Sequence, residues 1–319
     1  YGHLSADEGK PVAPSLLVQE LLSITGPKVA SVYRAPLPKI NKKSLHWPLF
    51  TQSRLPEGEQ TLFISELRKL ARHPWKFFLQ KVHGVYLKEE WEESFALQQA
   101  QLLRKSIERP LDTLFLEADL PAGPFGRAIE MEVLEKAAAW QSQLGIWQVQ
   151  PFSLILRENC TAAQWEGENY VVPALEVVFD KLKVRLVGEI QKASLKGLIS
   201  VNEDAIGGVL KVWPEALIVA LCLNAPQIFV LKSGKVKQLK NLSENLKTFI
   251  AYYFASLNTP SPLLTDWADP ILRKQPADLE KKMERDALFE DLAAEWVLAR
   301  ADRPTAEALF LHSTPLLKE

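Results

Sequence analysis

Lys183-Val184-Arg185-Leu186-Val187-Gly188-Glu189-Ile190-Gln191-Lys192-Ala193 decides the fold class. Val184, Leu186, Gly188 and Ile190 fall on one face of an extended chain, and Arg185, Glu189 and Gln191 on the other. That alternation predicts a strand with one face on a core and the other toward solvent. Further β-rich runs surround it: Phe152–Leu156, Tyr170–Phe179 and Leu198–Val201, then Gln227–Lys232 and Lys235–Leu239 joined at Ser233-Gly234.

Outward from these strands the period becomes helical. Leu67, Leu70 and Ala71 give one apolar face, and Pro74 ends that helix and opens the next, which carries Trp75, Phe78, Leu79 and Val82. Residues 94–116 read as another helix, interrupted near Pro110. After the turn Pro121-Ala122-Gly123-Pro124, the stripe Ile129, Val133, Ala137, Trp140 and Leu144 predicts an amphipathic helix. An apolar helix is expected around Pro214–Leu223. Another starts at the cap Ser243 and carries Leu246, Phe249, Ile250, Tyr253 and Leu257 on one side. From Asp278 the chain is helical and strongly charged. Helices, then a meandering mixed sheet, then helices define an α/β domain. Residues 1–27 hold a short helix with Ser15 as its cap. Residues 28–58, dense in Pro and Lys, read as a linker or arm, and regular structure resumes at Ser65.

Composition narrows the function classes. The 319 residues are 47% hydrophobic and 24% charged, which excludes wholesale disorder. A net charge of -1 means that any contact with DNA is local. Nine tryptophans supply large anchors for a core or a partner. Cys160 and Cys222 are the only cysteines, too few for an iron–sulfur cluster or a four-cysteine zinc site, and they point to a reducing, cytoplasmic setting. No apolar run reaches the ~18–20 residues of a membrane helix. The start Tyr1-Gly2-His3 reads as that of a fragment of a longer protein, without a signal peptide. Neither Gly9-Lys10 nor Gly234-Lys235 is followed by Ser or Thr, so no P-loop is present, and GxSxG, HExxH and GxGxxG are absent. The histidines His3, His46, His73, His83 and His312 lack metal-ligand spacing and read as capping or surface residues.

Five segments stand out in order along the chain: Pro14-Ser15-Leu16-Leu17-Val18-Gln19-Glu20-Leu21; Ser65-Glu66-Leu67-Arg68-Lys69-Leu70-Ala71-Arg72-His73-Pro74-Trp75-Lys76-Phe77-Phe78-Leu79-Gln80; Asp119-Leu120-Pro121-Ala122-Gly123-Pro124-Phe125-Gly126; the helix with Trp213, Glu215 and Leu217; and Ser261-Pro262-Leu263-Leu264. Together they resemble the C-terminal region of the RecC family, relatives of RecB-type nucleases. The resemblance implies a PD-(D/E)XK restriction-endonuclease-like core over residues 59–319, preceded at 1–27 by the end of a helicase-like domain. It further implies a subunit of exodeoxyribonuclease V that sits between RecB and RecD and channels separated DNA strands. Magnesium and ATP are then used by the partner subunits, and no cofactor is expected in this chain.

Active members of that fold hold a divalent metal with an acid on one strand and an Asp/Glu-x-Lys triplet on the next. By the resemblance, Gln191 stands where the first acid is required, Ser200 and Asn202 stand in place of the second acid and the lysine, and Arg127 stands where active members carry a histidine. Sliding the second strand so that Glu203 takes the acid position leaves Ala205 where lysine is needed. The only Asp/Glu-x-Lys triplets, Glu8-Gly9-Lys10 and Glu280-Lys281-Lys282, lie in an irregular segment and on a predicted helix. A catalytically degenerate, non-enzymatic domain is the expectation. The alternatives are an active nuclease with a relocated acid, Glu189 or Glu203, and a stand-alone single-strand DNA-binding module. The plain reading of Glu189 is a solvated strand residue paired with Arg185.

Two basic stretches with aromatics are candidate DNA contacts: Lys39, Lys42, Lys43, His46 and Trp47, and Lys69, Arg72, Trp75, Lys76 and Lys81. Their plain readings are a solvated linker and an ordinary amphipathic helix pair. Trp267 and Trp296 are the candidate anchors for partner subunits, each equally readable as core.

Overall fold

The computed structural model describes residues 55–85, 102, 103, 105, 106, 123–202, 204–258, 261, 264–285 and 293. The chain divides into two units, Tyr1–Leu45 with Glu284–Asp302 and His46–Met283 with Arg303–Glu319. The elements below belong to the second unit, save the last two residues of the closing helix. The expected helix in 1–27, most of the 28–58 arm and most of the 94–116 helix lie outside the described residues.

Among the described residues nine strands form one mixed sheet: β1 (Gly58–Phe63), β2 (Phe152–Arg157), β3 (Gln164–Glu166), β4 (Asn169–Pro173), β5 (Leu175–Val178), β6 (Leu182–Ser194), β7 (Gly197–Ser200), β8 (Gln227–Val230) and β9 (Lys235–Gln238). The helices are α1 (Ile64–Arg72), α2 (Pro74–His83), α3 (Pro124–Trp147), α4 (Ile206–Leu210), α5 (Trp213–Leu223), α6 (Leu242–Asn258), α7 (Ala268–Leu272), which follows a 3-10 turn at Thr265–Trp267, and α8 (Pro276–Arg285). The α/β class expected from the sequence is the one observed, a mixed sheet flanked by helices.

The long strand β6 organises the sheet because its two halves have different neighbours. Its first half pairs with β1 in parallel and with β5 antiparallel. Its second half pairs antiparallel with β2 along one edge, and with β7 only at Ala193 and Ser194 on the other. Between Val187, the last partner of β1, and Ala193, the first partner of β7, no described strand covers that second edge. The sheet is forked there.

Val184, Leu186 and Ile190 are buried as the alternation predicts, under a core cluster that includes Leu67 and Leu70 of α1, Leu217 of α5 and Ile250 of α6. Gly188 shares that face at φ 125°, and a Cβ there would lie 3.5 Å from the Ile64 nitrogen, so α1 starts directly over the strand. The opposite face of β7 and β8 is closed by α3, whose Trp140 and Leu144 pack with Ile199, Phe229 and Leu231. All five residues of the α3 stripe named from sequence are buried.

Several elements differ from expectation: α7 was not foreseen, the predicted strand Tyr170–Phe179 is divided into β4 and β5, and α6 begins at Leu242, ahead of the expected cap Ser243. β1 lies at the boundary of the predicted arm, ahead of Ser65, where regular structure was expected to resume. The strand β3 and the short helix α4 are unforeseen additions. His73 does cap α2, its Nδ1 accepting from the Lys76 backbone N–H at 3.1 Å, and Pro74 follows as the first helical residue.

Candidate functional site

The fork in the sheet is where a strand-borne site would assemble, and its geometry follows from one irregularity. On β2 the paired positions step from Phe152 to Leu154, while on β6 they step from Ala193 to Ile190, so β6 carries one extra residue. Lys192 takes up that bulge at φ 61°. Gln191 lies just before it. Alternation from buried Ile190 turns Gln191 to the opposite face, where it is exposed.

The second strand does not present the expected partners. Leu198 belongs to the core under α1, α5 and α6, and Ile199 to the core under α3. Ser200 therefore turns with Leu198, away from the face of Gln191, and it is buried. On the face of Gln191, β7 presents Ile199, followed just past its end by Val201, and both pack in the α3 cluster. Gln191 and Ser200, expected to stand in place of an acid and its partner on the next strand, thus lie on opposite faces of the sheet. Ser200 and Asn202 instead fold the loop that follows. The Asn202 backbone N–H donates to Ser200 Oγ at 3.2 Å, and Asn202 Nδ2 donates to the Gly208 carbonyl at 3.3 Å. The same loop is fastened by Asp269, whose carboxylate accepts from the Ile206 and Gly207 backbone N–H groups, each at 3.1 Å.

Glu189 points outward and accepts from Ser153 Oγ at 3.0 Å. It does not pair with Arg185, which binds Glu176 and Glu59 instead. Four residues along a strand span about 13 Å, beyond the reach of such a pair. Glu176 is held below the usual carboxylate range, chiefly by the hydrogen bond from Lys183; burial opposes this, and the Lys183 charge and Arg185 add to the lowering. Arg127 is exposed on the first turn of α3, thirteen residues and so about 20 Å along the helix from Trp140.

The open edge of β6 is occupied from α1. Arg68 Nη2 donates to the Glu189 carbonyl at 2.8 Å, and its Nε donates to Glu215 Oε1 at 2.7 Å. Glu215 is buried in the first turn of α5. Neither residue stood among the candidates. The available signal was a single acid in the apolar run Trp213-Pro214-Glu215-Ala216-Leu217-Ile218-Val219-Ala220, because a buried carboxylate requires a partner. Nearby, Glu66 of α1 accepts from Lys81 and from the Tyr253 hydroxyl. Burial pushes the Glu66 carboxyl up, but these two hydrogen bonds and the charges of Lys81 and Lys69 outweigh it and hold it below the usual range. Burial and the Glu66 contact push the Tyr253 phenol up.

The remaining candidates separate clearly. Trp75 is fully buried and cannot stack a base, which removes the aromatic from the second basic stretch; Arg72 is exposed and Lys76 half-buried. Trp267 is fully buried against Trp75, so it is a core residue and not a docking anchor. Lys42, Lys43, His46, Trp47, Glu203 and Trp296 lie outside the described residues. Among the described residues no group of three or more His, Cys, Asp or Glu converges to hold a metal ion, and no helix is long and apolar enough to cross a membrane.

A mixed sheet flanked by helices and forked at one long strand is the class of protein that these elements define. The model of the RecC C-terminal domain family matches residues 59–275. The chain belongs to the RecC family, whose members are subunits of exodeoxyribonuclease V. No curated protein matches.

Proposed function

We propose that this chain provides a non-catalytic domain of a RecBCD-type helicase–nuclease in double-strand-break repair and recombination. In this reading its core is a PD-(D/E)XK-like fold that has lost its catalytic residues. It scaffolds the RecB and RecD subunits in the cytoplasm and helps to channel the separated DNA strands, while the partners use magnesium and ATP.

The observation that carries the reading is the chemistry of the face on which Gln191 lies. There an amide shares the face of Ile199 and Val201, both packed under α3. Magnesium needs anionic oxygens to displace its hydration shell, and an amide with two aliphatic chains does not fit it. A strand-borne acid and lysine at those positions would also break the α3 core. Glu189, the candidate relocated acid, stands apart from any acidic partner cluster among the described residues. With no metal-holding cluster among the described residues, family membership and an ordered α/β core favour a scaffolding part over an enzymatic one.

Two measurements test this. Purified chain incubated with magnesium and single- or double-stranded DNA should give no cleavage above background, and Gln191→Asp should leave that unchanged, because the missing groups act as a unit. Magnesium-dependent cleavage that disappears in Glu189→Gln would overturn the non-catalytic reading. For scaffolding, a full-length subunit and one truncated before this domain are compared for retention of RecD. Full retention by the truncated subunit would overturn the docking role.

A further inference from the structure

We infer that Arg68 is a cation built into the fork of the sheet, seated in a site shaped for a planar guanidinium. The inference is independent of the proposed function. It starts from an open stretch of the sheet. Where β6 passes from β1 to β7, along an edge that no described strand covers, the Glu189 carbonyl accepts from Arg68 Nη2. Directly across this edge lies the carboxylate of Glu215, 6% exposed, on a helix turn made otherwise of apolar residues. Two oxygens of different elements thus converge on one point from different directions.

A guanidinium meets both oxygens at once. Its Nη2 reaches the Glu189 carbonyl at 2.8 Å and approaches Glu215 Oε1 at 2.6 Å, while its Nε reaches Glu215 Oε1 at 2.7 Å. A lysine ammonium has one nitrogen and lacks the planar fork needed to hold this geometry. The guanidinium joins α1, α5 and β6, three elements that meet at the split, and so bridges the fork where no described strand does. The consequence is chemical: when the side chain of Arg68 is cut back, the remaining cavity presents a buried carboxylate and a carbonyl, which is a receptor for free guanidinium ion.

The test is chemical rescue of the complete 319-residue chain. Arg68→Ala should lower the melting temperature by on the order of 5–10 °C, since it leaves a buried charge unpaired. Guanidinium chloride at about 1–50 mM, well below denaturing levels, should raise the melting temperature of Arg68→Ala saturably and leave wild type unchanged. Sodium chloride at matched concentration should not. No loss in Arg68→Ala, no rescue, or equal rescue by sodium chloride overturns the inference. If Arg68→Ala does not fold, the pair Arg68→Met with Glu215→Leu decides. That double variant removes both charges and should melt within a few degrees of wild type, with Arg68→Lys well below it. A double variant no better than Arg68→Lys overturns the inference.

Discussion

The indole of Trp75 meets that of Trp267 edge to face, with ring centroids 5.3 Å apart and planes at 90°. Both rings are fully buried, and Trp75 Nε1 donates to the Ser261 carbonyl. This contact ties α2 to the turn before α7 across nearly two hundred residues of chain. The expected outcome for Trp267→Ala is therefore global: a loss of about 3–5 kcal/mol of stability, with a melting temperature lower by roughly 10 °C. Thermal denaturation followed by circular dichroism measures it. An unchanged melting curve would return Trp267 to the surface role assigned from the sequence.

Gly197 starts β7 at φ 146°, and a Cβ there would stand 2.1 Å from the Gln227 carbonyl oxygen. No flexible side-chain end can yield, because the obstacle is backbone. Gly197→Ala should force β7 and β8 apart and reduce the soluble yield severely. Gly167, at φ 63° with open space around it, is the control. Gly167→Ala should cost only about 1–2 kcal/mol, from backbone conformation alone. Parallel expression and urea denaturation of the two variants decide this, and equal behaviour contradicts the close approach.

How much of this was legible in advance depends on the residue. The alternation in β6 and the α3 stripe were readable because each repeats one period many times over a buried face. β1 was not, since Leu62 is its only buried residue and five of its six positions face outward; a pattern needs at least two buried positions to show. The face that β7 turns toward Gln191 was hidden for another reason. The Lys192 bulge shifts β6 by one residue, and nothing local in the sequence marks a non-glycine residue at positive φ. Arg68 and Glu215 are 147 positions apart and become neighbours only once α1 and α5 share a face of the sheet.

Glu66 makes acid stability measurable. Its folded pKa is lowered, so the unfolded state binds more protons in acid; the contribution is complete above the ordinary carboxylate value of 4.5 and is lost as pH falls through the lower folded value. Removing the phenol donor with Tyr253→Phe should cost about 1 kcal/mol at neutral pH, and the difference from wild type should shrink as pH falls below 4.5. Tyr253 has the opposite sign: its folded pKa is raised, so wild type should lose stability as pH rises above 10 and Tyr253→Phe should lose less. Chemical denaturation across the pH range checks both limbs. A gap between the proteins that widens in acid contradicts the Glu66 assignment.

The two free thiols should differ in reactivity. Burial pushes the Cys222 thiol up to about 12, which leaves almost no thiolate near neutral pH. Cys160 lies in the loop after β2, its Sγ donating to the Ala162 carbonyl at 3.0 Å. Titration with a disulfide reagent at pH 8 should show one thiol reacting promptly in native protein and two after denaturation. Cys160→Ser should abolish the prompt phase; a prompt phase that persists in that variant contradicts the assignment.

The parallel pair of β1 and β6 joins Gly58 to Leu182, and that distance along the chain has a meaning for synthesis. During translation β1 emerges about 120 residues before the strand that receives it. At roughly 5–20 residues per second it waits on the order of 6–25 s without a strand partner. A strand with an apolar face would be exposed to chance pairing throughout that interval. Glu59, Gln60 and Thr61 make β1 a poor template for such pairing. The outward-facing residues that hid this strand from sequence reading are those that protect the nascent chain until the sheet can close.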